Sequence, residues 1–275
     1  MCLIAFAFDP EAEQKLLVLA NRDEFYEREA LQAHFWPDRQ GLLAGKDVQA
    51  GGTWLGVHAS GRFAAVTNYR EPGVVVENAL SRGNLVLDFL TSKQEALEYL
   101  NEIHQRATSY NGFNVIVYDG TALAYYSNRS EKQPSSLTAG IYGLSNHLLD
   151  TRWPKVERLK SKLRVSLDEV QHVNEIWADT SFLDMLNDEE TAPENDLPST
   201  GVPIEWERRL SAMMIKSSEY GTRCSTMVGM MGDGTIRFAE KTIHPVRPSS
   251  PVSVQFEIQP TDTGRLEGRP IYKSE

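Results

Sequence analysis

The sequence predicts an α+β fold in which two mainly antiparallel sheets are covered by helices. Apolar strand segments come in hairpin pairs, and two of these pairs are joined by the turn signals Asp119-Gly120 and Asp233-Gly234. Helical patterns are inserted between runs of strands and do not alternate with single strands, which argues against a parallel sheet. Four strand pairs are more than one face of a single sheet accommodates, so we expect two stacked sheets with helices outside.

The chain begins with a predicted hairpin. Residues 3–8 form a short apolar run that stops at Asp9-Pro10, and residues 15–20 form a second apolar run. Antiparallel pairing of the two runs returns the end of the second strand towards Cys2. The tetrapeptide Asn21-Arg22-Asp23-Glu24 follows that end, and its composition alone favours a solvated loop.

The next part of the chain combines a further hairpin with two helices. Residues 26–50 show no periodic pattern and are expected to be irregular. A strand is predicted to start at Gly51-Gly52 and to turn at Gly61-Arg62 into residues 63–69. Paired glycines at a strand entrance indicate a bend or a close approach of the backbone to another segment or a ligand.

Two helices that cover a sheet are predicted after this hairpin. The first spans residues 81–90 and carries an apolar stripe. The second opens with Ser92 and Glu95, the spacing of a capping box. Residues 113–118 and 121–127 then form the predicted hairpin around Asp119-Gly120.

The middle of the chain predicts one strand and two helices. Residues 140–146 read as a strand that ends in a polar corner. Helical patterns follow at about 153–163 and 166–178, and Ser166 with Glu169 forms a second capping-box pattern. Residues 184–200, rich in Asp, Glu and Pro, are expected to be a surface excursion.

The C-terminal part predicts a short helix and three strands. The helix lies within residues 202–216, and the hairpin joins residues 221–228 to residues 236–240. Residues 252–258 alternate as a half-buried strand. Because the sequence has no internal repeat and no linker, we expect residues 1–275 to form a single domain.

The bulk composition excludes several classes of protein. The 28 Lys and Arg against 38 Asp and Glu give a formal net charge of −10, which argues against binding to nucleic acid or anionic membranes. No apolar run approaches the ~20 residues of a membrane span. The N-terminus lacks the pattern of a signal peptide, and two cysteines cannot form a disulfide framework. A cytoplasmic protein is expected.

Cys2 is the residue whose chemistry is most distinctive. Its small side chain permits removal of Met1 by a methionine aminopeptidase, which would place a thiol and a free α-amine on one residue. The amine has a pKa of about 7.7–8.0 and the thiol one of about 8.5, so the amine can take the thiol proton near neutral pH. This pairing is the chemistry of an N-terminal nucleophile. The alternative is a buried cysteine that acts as a small hydrophobe, and the same reading applies to Cys224.

Further motifs, in the right order, cover nearly the whole chain. They are the Met-Cys start, Asn21-Arg22-Asp23-Glu24, Gly51-Gly52-Thr53-Trp54-Leu55-Gly56, Thr67-Asn68-Tyr69, Tyr110-Asn111-Gly112-Phe113-Asn114, Tyr142-Gly143-Leu144-Ser145-Asn146 and Tyr220-Gly221-Thr222-Arg223. Together they resemble the NRDE-motif family, the family of the transport and Golgi organisation protein 2. The resemblance implies an N-terminal-nucleophile-hydrolase-like fold, a four-layer αββα sandwich similar to the choloylglycine hydrolase and penicillin V acylase group.

The resemblance also implies a set of site residues. Cys2 matches the nucleophile, Asn68 and Asn146 match two Asn positions, and Arg223 matches a late Arg. Arg22 and Asp23 are the candidates for an early Arg and Asp. The hydrolases separate that pair by two residues, whereas here they are adjacent and Asn21 and Glu24 hold the matching spacing. Which of these four side chains face Cys2 is therefore open.

These residue types suit acyl transfer. A carboxylate orients the α-ammonium, an arginine lowers the thiol pKa, and an Asn N–H stabilises an oxyanion. The leading hypothesis is a cysteine amidohydrolase that acts on a non-peptide C–N bond of a small acylated substrate, with no metal or organic cofactor. The alternative, suggested by relatives tied to Golgi organisation, lipid homeostasis and haem handling, is a non-enzymatic protein that binds a small molecule, lipid or haem. The six histidines show no paired ligand spacing, so a haem site rests on the relatives alone.

Overall fold

The computed structural model describes residues 2–244 and 253–259 together with the backbone of residues 269–270. Within these residues the chain forms two seven-stranded sheets in which all neighbouring strands are antiparallel. Sheet A contains, in spatial order, β10 (Gly140–Leu144), β1 (Cys2–Phe8), β2 (Gln14–Phe25), β11 (Tyr220–Met231), β12 (Ile236–Thr242), β13 (Ser253–Ile258) and β14 (Arg269–Pro270). Sheet B contains β3 (Ala30–Phe35), β4 (Leu42–Asp47), β5 (Leu55–His58), β6 (Arg62–Asn68), β7 (Phe113–Tyr118), β8 (Leu123–Ser127) and β9 (Ser135–Ser136).

Helices cover the outer face of each sheet. They are α1 (Arg82–Thr91), α2 (Ala96–Gln105), α3 (Pro154–Glu169), α4 (Val173–Ile176), α5 (Ser181–Asp184) and α6 (Ile204–Leu210), with 3-10 turns at Ala107–Ser109, Met185–Asn187 and Glu194–Asp196. One apolar core lies between the two sheets, a second between sheet B and α1–α2, and a third between sheet A and α3–α5. The predicted α+β fold, a four-layer αββα sandwich, is confirmed.

The N-terminal hairpin is longer and more central than the sequence indicates. The β1–β2 pairing is confirmed, but β2 continues through the polar tetrapeptide to Phe25 and pairs with β11 on its other side. The expectation of a solvated loop for Asn21-Arg22-Asp23-Glu24 is wrong, because the first three of these side chains are buried. Hydrogen-bond partners on β11 and on the loops before it make this burial tolerable.

Three local predictions are corrected by the structure. Residues 26–50 are not irregular, since they contain β3 and β4. Neither capping box forms: Ser92 donates to the Phe89 carbonyl at the end of α1, and Ser166 lies inside α3, which runs unbroken to Glu169. The N-terminus of α2 is satisfied from a distant turn, because Asp119 Oδ2 accepts the Ala96 N–H at 2.7 Å.

The other predicted elements are found close to their expected positions, with two exceptions. The strand expected from Gly51 starts only at Leu55, and the residues of the helix expected at 166–178 fall in α3 and the four-residue α4. The close approach expected at the paired glycines is also present, because a Cβ on Gly52 would lie 2.9 Å from the Gly83 Cα. The predictions for Met1 and for Val252 lie outside the described residues. In the part of the chain that the structure describes, no helix is both long and apolar enough to cross a bilayer.

Candidate active site

Cys2 lies at the start of β1, directly opposite Arg22 on β2. Directly opposed residues of antiparallel strands project to the same face, so both side chains face sheet B. The Cys2 side chain is 8% exposed, and its carbonyl accepts a hydrogen bond from Ser145 Oγ at 3.0 Å. Burial raises the pKa of the thiol, while the Arg22 guanidinium opposes that increase.

Cys2 borders a cleft of about 540 Å³. Three groups of residues line it: polar and charged side chains near Cys2, apolar side chains, and the segment that leads into α1. The lining includes Cys2, Arg22, Asp23, Glu24, Phe25, Arg28, Asp47, Trp54, Val66, Asn68, Leu80, Ser81 and Arg82. Four of the six predicted site residues, Cys2, Arg22, Asp23 and Asn68, are therefore brought together at one cleft.

The alternation of side chains along β2 answers the question of which polar residues face Cys2. Arg22 projects towards sheet B, whereas Asn21 projects towards the helices, where its Nδ2 donates to the carbonyls of Leu186 and Met213 at 3.0 and 2.9 Å. The Asn21 Oδ1 accepts from Ser225 Oγ at 2.6 Å. Asn21 therefore anchors β2 and does not line the cleft.

Arg22 is held by an aromatic ring and not by a close carboxylate. Its Cζ lies 4.2 Å from the centre of the Trp54 ring, and Nη2 lies 3.8 Å from Asp47 Oδ2. Asp47 bonds instead to Arg28, whose Nε donates to Oδ2 at 2.7 Å. Within the described part of the chain, Arg22 Nη1 is buried and has no hydrogen-bond partner. The positive charge next to the thiol is thus only weakly neutralised.

Asp23 is buried on the opposite face of β2. Its Oδ1 accepts a hydrogen bond from Thr222 Oγ1 at 2.7 Å. Burial raises the pKa of this carboxyl, and Lys155 is the largest influence that opposes the increase. Lys155, on the first turn of α3, is itself 1% exposed, and burial lowers its pKa to about 8. Its sequence context, a lysine after Pro154 in a predicted helix, gives no signal of this position.

The two predicted asparagines have different surroundings. Asn68 ends β6 and lines the cleft, and its side chain makes no hydrogen bond to the residues that the structure describes. Asn146 is fully buried away from the cleft lining. Its Nδ2 donates to the Asn68 carbonyl at 2.9 Å, and its own carbonyl accepts the Arg70 N–H at 2.7 Å. Asn146 therefore positions the end of β6.

Arg223 lies at a bulge of β11, between the partners of Asp23 and Arg22. Its Nη1 donates to the carbonyls of Phe25 and Arg28, each at 2.8 Å. It does not line the cleft, but it fixes the turn that carries Arg28 into the cleft wall. The neighbouring Cys224 is buried, and burial raises its pKa well above the ordinary thiol value, as expected for a core thiol.

Comparison with known proteins identifies the family. The Transport and Golgi organisation 2 family model matches residues 1–245. The chain belongs to this family. It is 38% identical over 263 residues to the Transport and Golgi organization protein 2 homolog of Bos taurus, covering 88% of this chain and 93% of that protein. The Homo sapiens homolog is 37% identical over 262 residues with the same coverage.

A more distant relative and a solved structure extend the likeness. The Transport and Golgi organization protein 2 of Drosophila melanogaster is 26% identical over 269 residues, covering 90% of this chain and 94% of that protein. The crystal structure of the mutant C2A conjugated bile acid hydrolase from Clostridium perfringens matches with a TM-score of 0.50 and 9% identity, covering 100% of this chain and 97% of that one. At this identity the match supports the fold alone.

This member of the Transport and Golgi organisation 2 family therefore places a thiol, an arginine and an amide around one cleft, and buries the Asp23 carboxylate on the opposite face of the strand that carries the arginine. Among the residues described, no three His, Cys, Asp or Glu side chains converge as a metal-binding cluster. The groups present at the cleft can donate hydrogen bonds, carry a proton and attack an electrophile. Acyl transfer is the chemistry that uses all of them.

Proposed function

We propose that this protein is a cysteine N-terminal-nucleophile amidohydrolase that cleaves a non-peptide C–N bond of a small acylated substrate. The observation that supports the proposal most directly is the position of Cys2. The second residue of the chain borders a cleft of about 540 Å³ together with Arg22, Asp23 and Asn68. A cleft of this volume is of the usual size for a small-molecule site.

The first half-reaction forms an acyl-enzyme. After removal of Met1, the free α-amine of Cys2 takes the thiol proton, and the thiolate attacks the carbonyl carbon of the substrate amide. A C–S bond forms and the carbonyl electrons move to oxygen. The α-ammonium then donates its proton to the nitrogen as the C–N bond breaks. The products are a free amine and a thioester on Cys2.

The second half-reaction is hydrolysis of the thioester. Water loses a proton to the same α-amine and attacks the thioester carbon. A C–O bond forms, the C–S bond breaks, and the thiolate regains the proton as the carboxylic acid leaves. The α-amine is thus the base in both steps, so the mechanism depends on an N-terminus that starts at Cys2.

The remaining residues have assigned roles in this proposal. The Asn68 side-chain amide lines the cleft and donates to the oxyanion, a contact typically worth about 10²–10³ in rate. Arg22 lowers the thiol pKa through its charge, and Asp23 orients the α-ammonium. Asn146 and Arg223 are positioning residues, because the first holds Asn68 and the second holds the turn that carries Arg28.

The structural comparison also favours testing hydrolysis of a non-peptide C–N bond first. A conjugated bile acid hydrolase has the matching fold, and its crystal structure is that of the mutant C2A. The apolar cleft residues Phe25, Trp54, Val66 and Leu80 suit the acyl part of a substrate. We include in the proposal that residues 1–275 act as one domain, that the ligand is a small molecule and that the protein is cytoplasmic.

Intact mass and active-site labelling test the proposal. The full chain is expected to lack Met1 and to gain one acyl group from a β-lactone, and peptide mapping is expected to place it on Cys2 and not on Cys224. Cys2→Ala should remain unlabelled. A variant with a glutamate inserted between Met1 and Cys2 keeps the thiol but lacks the α-amine on Cys2, so both acylation of Cys2 and hydrolysis of any thioester should be lost or strongly slowed. Retention of Met1 in the purified protein, or equal labelling of Cys2→Ala, contradicts the proposal and leaves the binding protein as the alternative.

A further inference from the structure

The Arg22 guanidinium is a buried cation in the cleft wall whose hydrogen-bonding capacity is not used. Its side chain is 5% exposed, and Nη1 has no hydrogen-bond partner among the residues that the structure describes. Nη2 lies 3.8 Å from Asp47 Oδ2, which is too long for a hydrogen bond. A buried cation without a close partner is unfavourable. An anionic group bound in the cleft would supply that partner.

A second arginine lines the same cleft. Arg82 is the first residue of α1, and its Nη1 donates to the Gly112 carbonyl at 2.9 Å. The same carbonyl accepts the Tyr69 N–H at 2.9 Å, and Tyr69 directly follows Asn68. The Arg82 guanidinium is therefore fixed beside the end of β6, where Asn68 faces the cleft.

The carboxylates near these two arginines are paired with other cations. Asp23 is not available to them either, because it projects to the opposite face of β2 and accepts from Thr222. Within the described part of the chain, Arg82 has no ion-pair partner, and Arg22 has only the 3.8 Å approach to Asp47. The ion pairs around the cleft are Arg28–Asp47, Arg28–Glu24 and Arg129–Glu71.

The start of α1 faces the cleft and carries no cap. Ser81, at the N-cap position, makes no side-chain hydrogen bond to the helix, and the first turn contains no acidic residue. Gly83 packs so closely on Gly52 that a Cβ on Gly52 would lie 2.9 Å from the Gly83 Cα, and Trp54, two residues further on, stacks on Arg22 at 4.2 Å. These contacts hold the helix start and Arg22 in one wall of the cleft. Unpaired N–H groups and the helix dipole attract anions to such a position.

We propose that Arg22, Arg82 and the first turn of α1 form an anion-binding subsite, and that the substrate is an acylated amine whose amine part carries a carboxylate or phosphate. The inference rests on the proposed function, which assigns the apolar cleft residues to the acyl part of the substrate. The charged wall is then left for the amine part. Because Arg82 lies beside Asn68, the proposed oxyanion donor, an anion bound there is close to the reacting carbonyl.

The test is equilibrium binding to the full chain with Cys2→Ala, which cannot turn over the probes. Isothermal titration calorimetry compares N-dodecanoylglycine with the neutral N-dodecanoylglycinamide, and N-dodecanoyl-O-phosphoethanolamine with the neutral N-dodecanoylethanolamine. In at least one pair the anionic probe is expected to bind about 10- to 100-fold more tightly, the range for hydrogen bonds to charged groups. The pair with the larger ratio identifies the anion as carboxylate or phosphate. No preference for the anion in either pair overturns the inference.

Ser81→Asp, made in the same Cys2→Ala chain, separates anion binding from a structural role. A carboxylate at the N-cap accepts the first-turn N–H groups and stabilises α1, but it occupies the place of the ligand's anion. The variant should unfold at the same or a higher temperature and lose most of the preference for the anionic probe. A preference that stays at its original size in Ser81→Asp overturns the assignment of the subsite to the start of α1.

Arg82→Met should reduce the preference about tenfold. Arg208→Met is the matched control, because it removes the same charge from an exposed residue of α6 that pairs with Glu205 at 2.8 Å, and it should keep the full preference. An unchanged preference in folded Arg82→Met overturns the role of Arg82, and if that variant fails to fold, Ser81→Asp decides.

Binding and hydrolysis are measured separately, so the two proposals can fail independently. Tight binding of an anionic probe that the wild type does not hydrolyse contradicts the hydrolase proposal and supports the subsite. Hydrolysis by the wild type without any preference for the anionic probes contradicts the subsite alone.

Discussion

Arg70 and Glu207 form a buried ion pair that joins the end of β6 to α6. Arg70 Nη1 lies 2.9 Å from Glu207 Oε2, and both side chains are almost fully inaccessible to solvent. The other Glu207 oxygen accepts hydrogen bonds from the backbone and the hydroxyl of Thr200. Because the pair also neutralises one of the cations near Asp23, it contributes to the electrostatics of the cleft as well as to the packing of α6.

Glu207→Gln is expected to destabilise the protein by about 3–5 kcal/mol, because it leaves the buried Arg70 charge without a partner. The free energy of unfolding in urea measures this effect. Glu205→Gln is the control on the same helix, since Glu205 pairs with Arg208 at the surface and such pairs contribute less than about 1 kcal/mol. Similar losses for the two variants would contradict the assignment of Arg70–Glu207 as a buried pair.

Arg22→Lys is expected to destabilise the protein by roughly 1–2 kcal/mol, although it keeps the charge. A lysine ammonium cannot stack on Trp54 as the planar guanidinium does, and the site is desolvated. Urea unfolding measures the change. Arg209→Lys is the control, because Arg209 stacks on Trp206 at 5.1 Å but is exposed, and its substitution should cost less than about 0.5 kcal/mol. Equal losses of unfolding free energy for the two variants would show that burial does not increase the contribution of the Arg22–Trp54 contact to stability.

Gly52→Ala is expected to cost about 1–3 kcal/mol and to displace the start of α1. The new Cβ would lie 2.9 Å from both the Cα and the carbonyl carbon of Gly83, and backbone cannot rotate away as a side chain can. Thermal unfolding and amide exchange at residues 83–86 measure the two effects. Gly232→Ala serves as the control, because its nearest contact is an ordinary 3.4 Å. Unchanged exchange in α1 would show that the Gly52–Gly83 approach is not required there.

Because of Lys155, the free energy of unfolding is expected to increase as the pH rises above about 8. Its folded pKa of about 8 lies below the ordinary value of 10.5, so between these values the unfolded chain binds a proton that the folded chain does not. Stability from this group therefore rises with pH across that window, by an amount on the order of 3 kcal/mol.

Lys155→Met lacks this titration, so the difference in unfolding free energy between variant and wild type should change in favour of the wild type between about pH 7 and about pH 10. Urea unfolding at the two pH values measures it. Lys162→Met removes an exposed lysine of the same helix, which pairs with Asp188, and should keep a constant difference from the wild type. A constant difference for Lys155→Met as well would mean that Lys155 does not titrate in this window.

Local pattern predicted most of the hairpins because apolar periodicity and turn residues lie close together in the chain. The hairpin at Asp119-Gly120 depends only on its own residues, and so does the one at Asp233-Gly234. β3 was missed because it is an edge strand with a register shift between Leu31 and His34, which breaks the two-residue alternation. The false capping box at Ser92 has a similar cause, since α2 receives its cap from Asp119.

The features of the candidate site also divide into those that local sequence predicts and those that depend on distant residues. The hairpin predicted that Cys2 and Arg22 lie near each other, because their separation follows from the register of two adjacent strands. The burial of Asp23 was not predictable from propensity, since Asp is depleted in strands and its partner Thr222 is 199 residues away. No signal in the sequence marks Lys155 or Glu207, because their burial depends on long-range packing. α3 packs on sheet A, and Glu207 pairs with Arg70 after β6.

The position of β2 between β1 and β11 has a consequence for synthesis on the ribosome. β1 and β2 emerge first, but the second neighbour of β2 emerges about 200 residues later, which takes roughly 10–40 seconds at typical translation rates. During that interval the nascent N-terminus lacks the sheet that later encloses it, so processing enzymes bound near the exit tunnel have access to it. Processing at the N-terminus would therefore precede the pairing of β11 with β2, which completes the sheet around the strand that begins at Cys2.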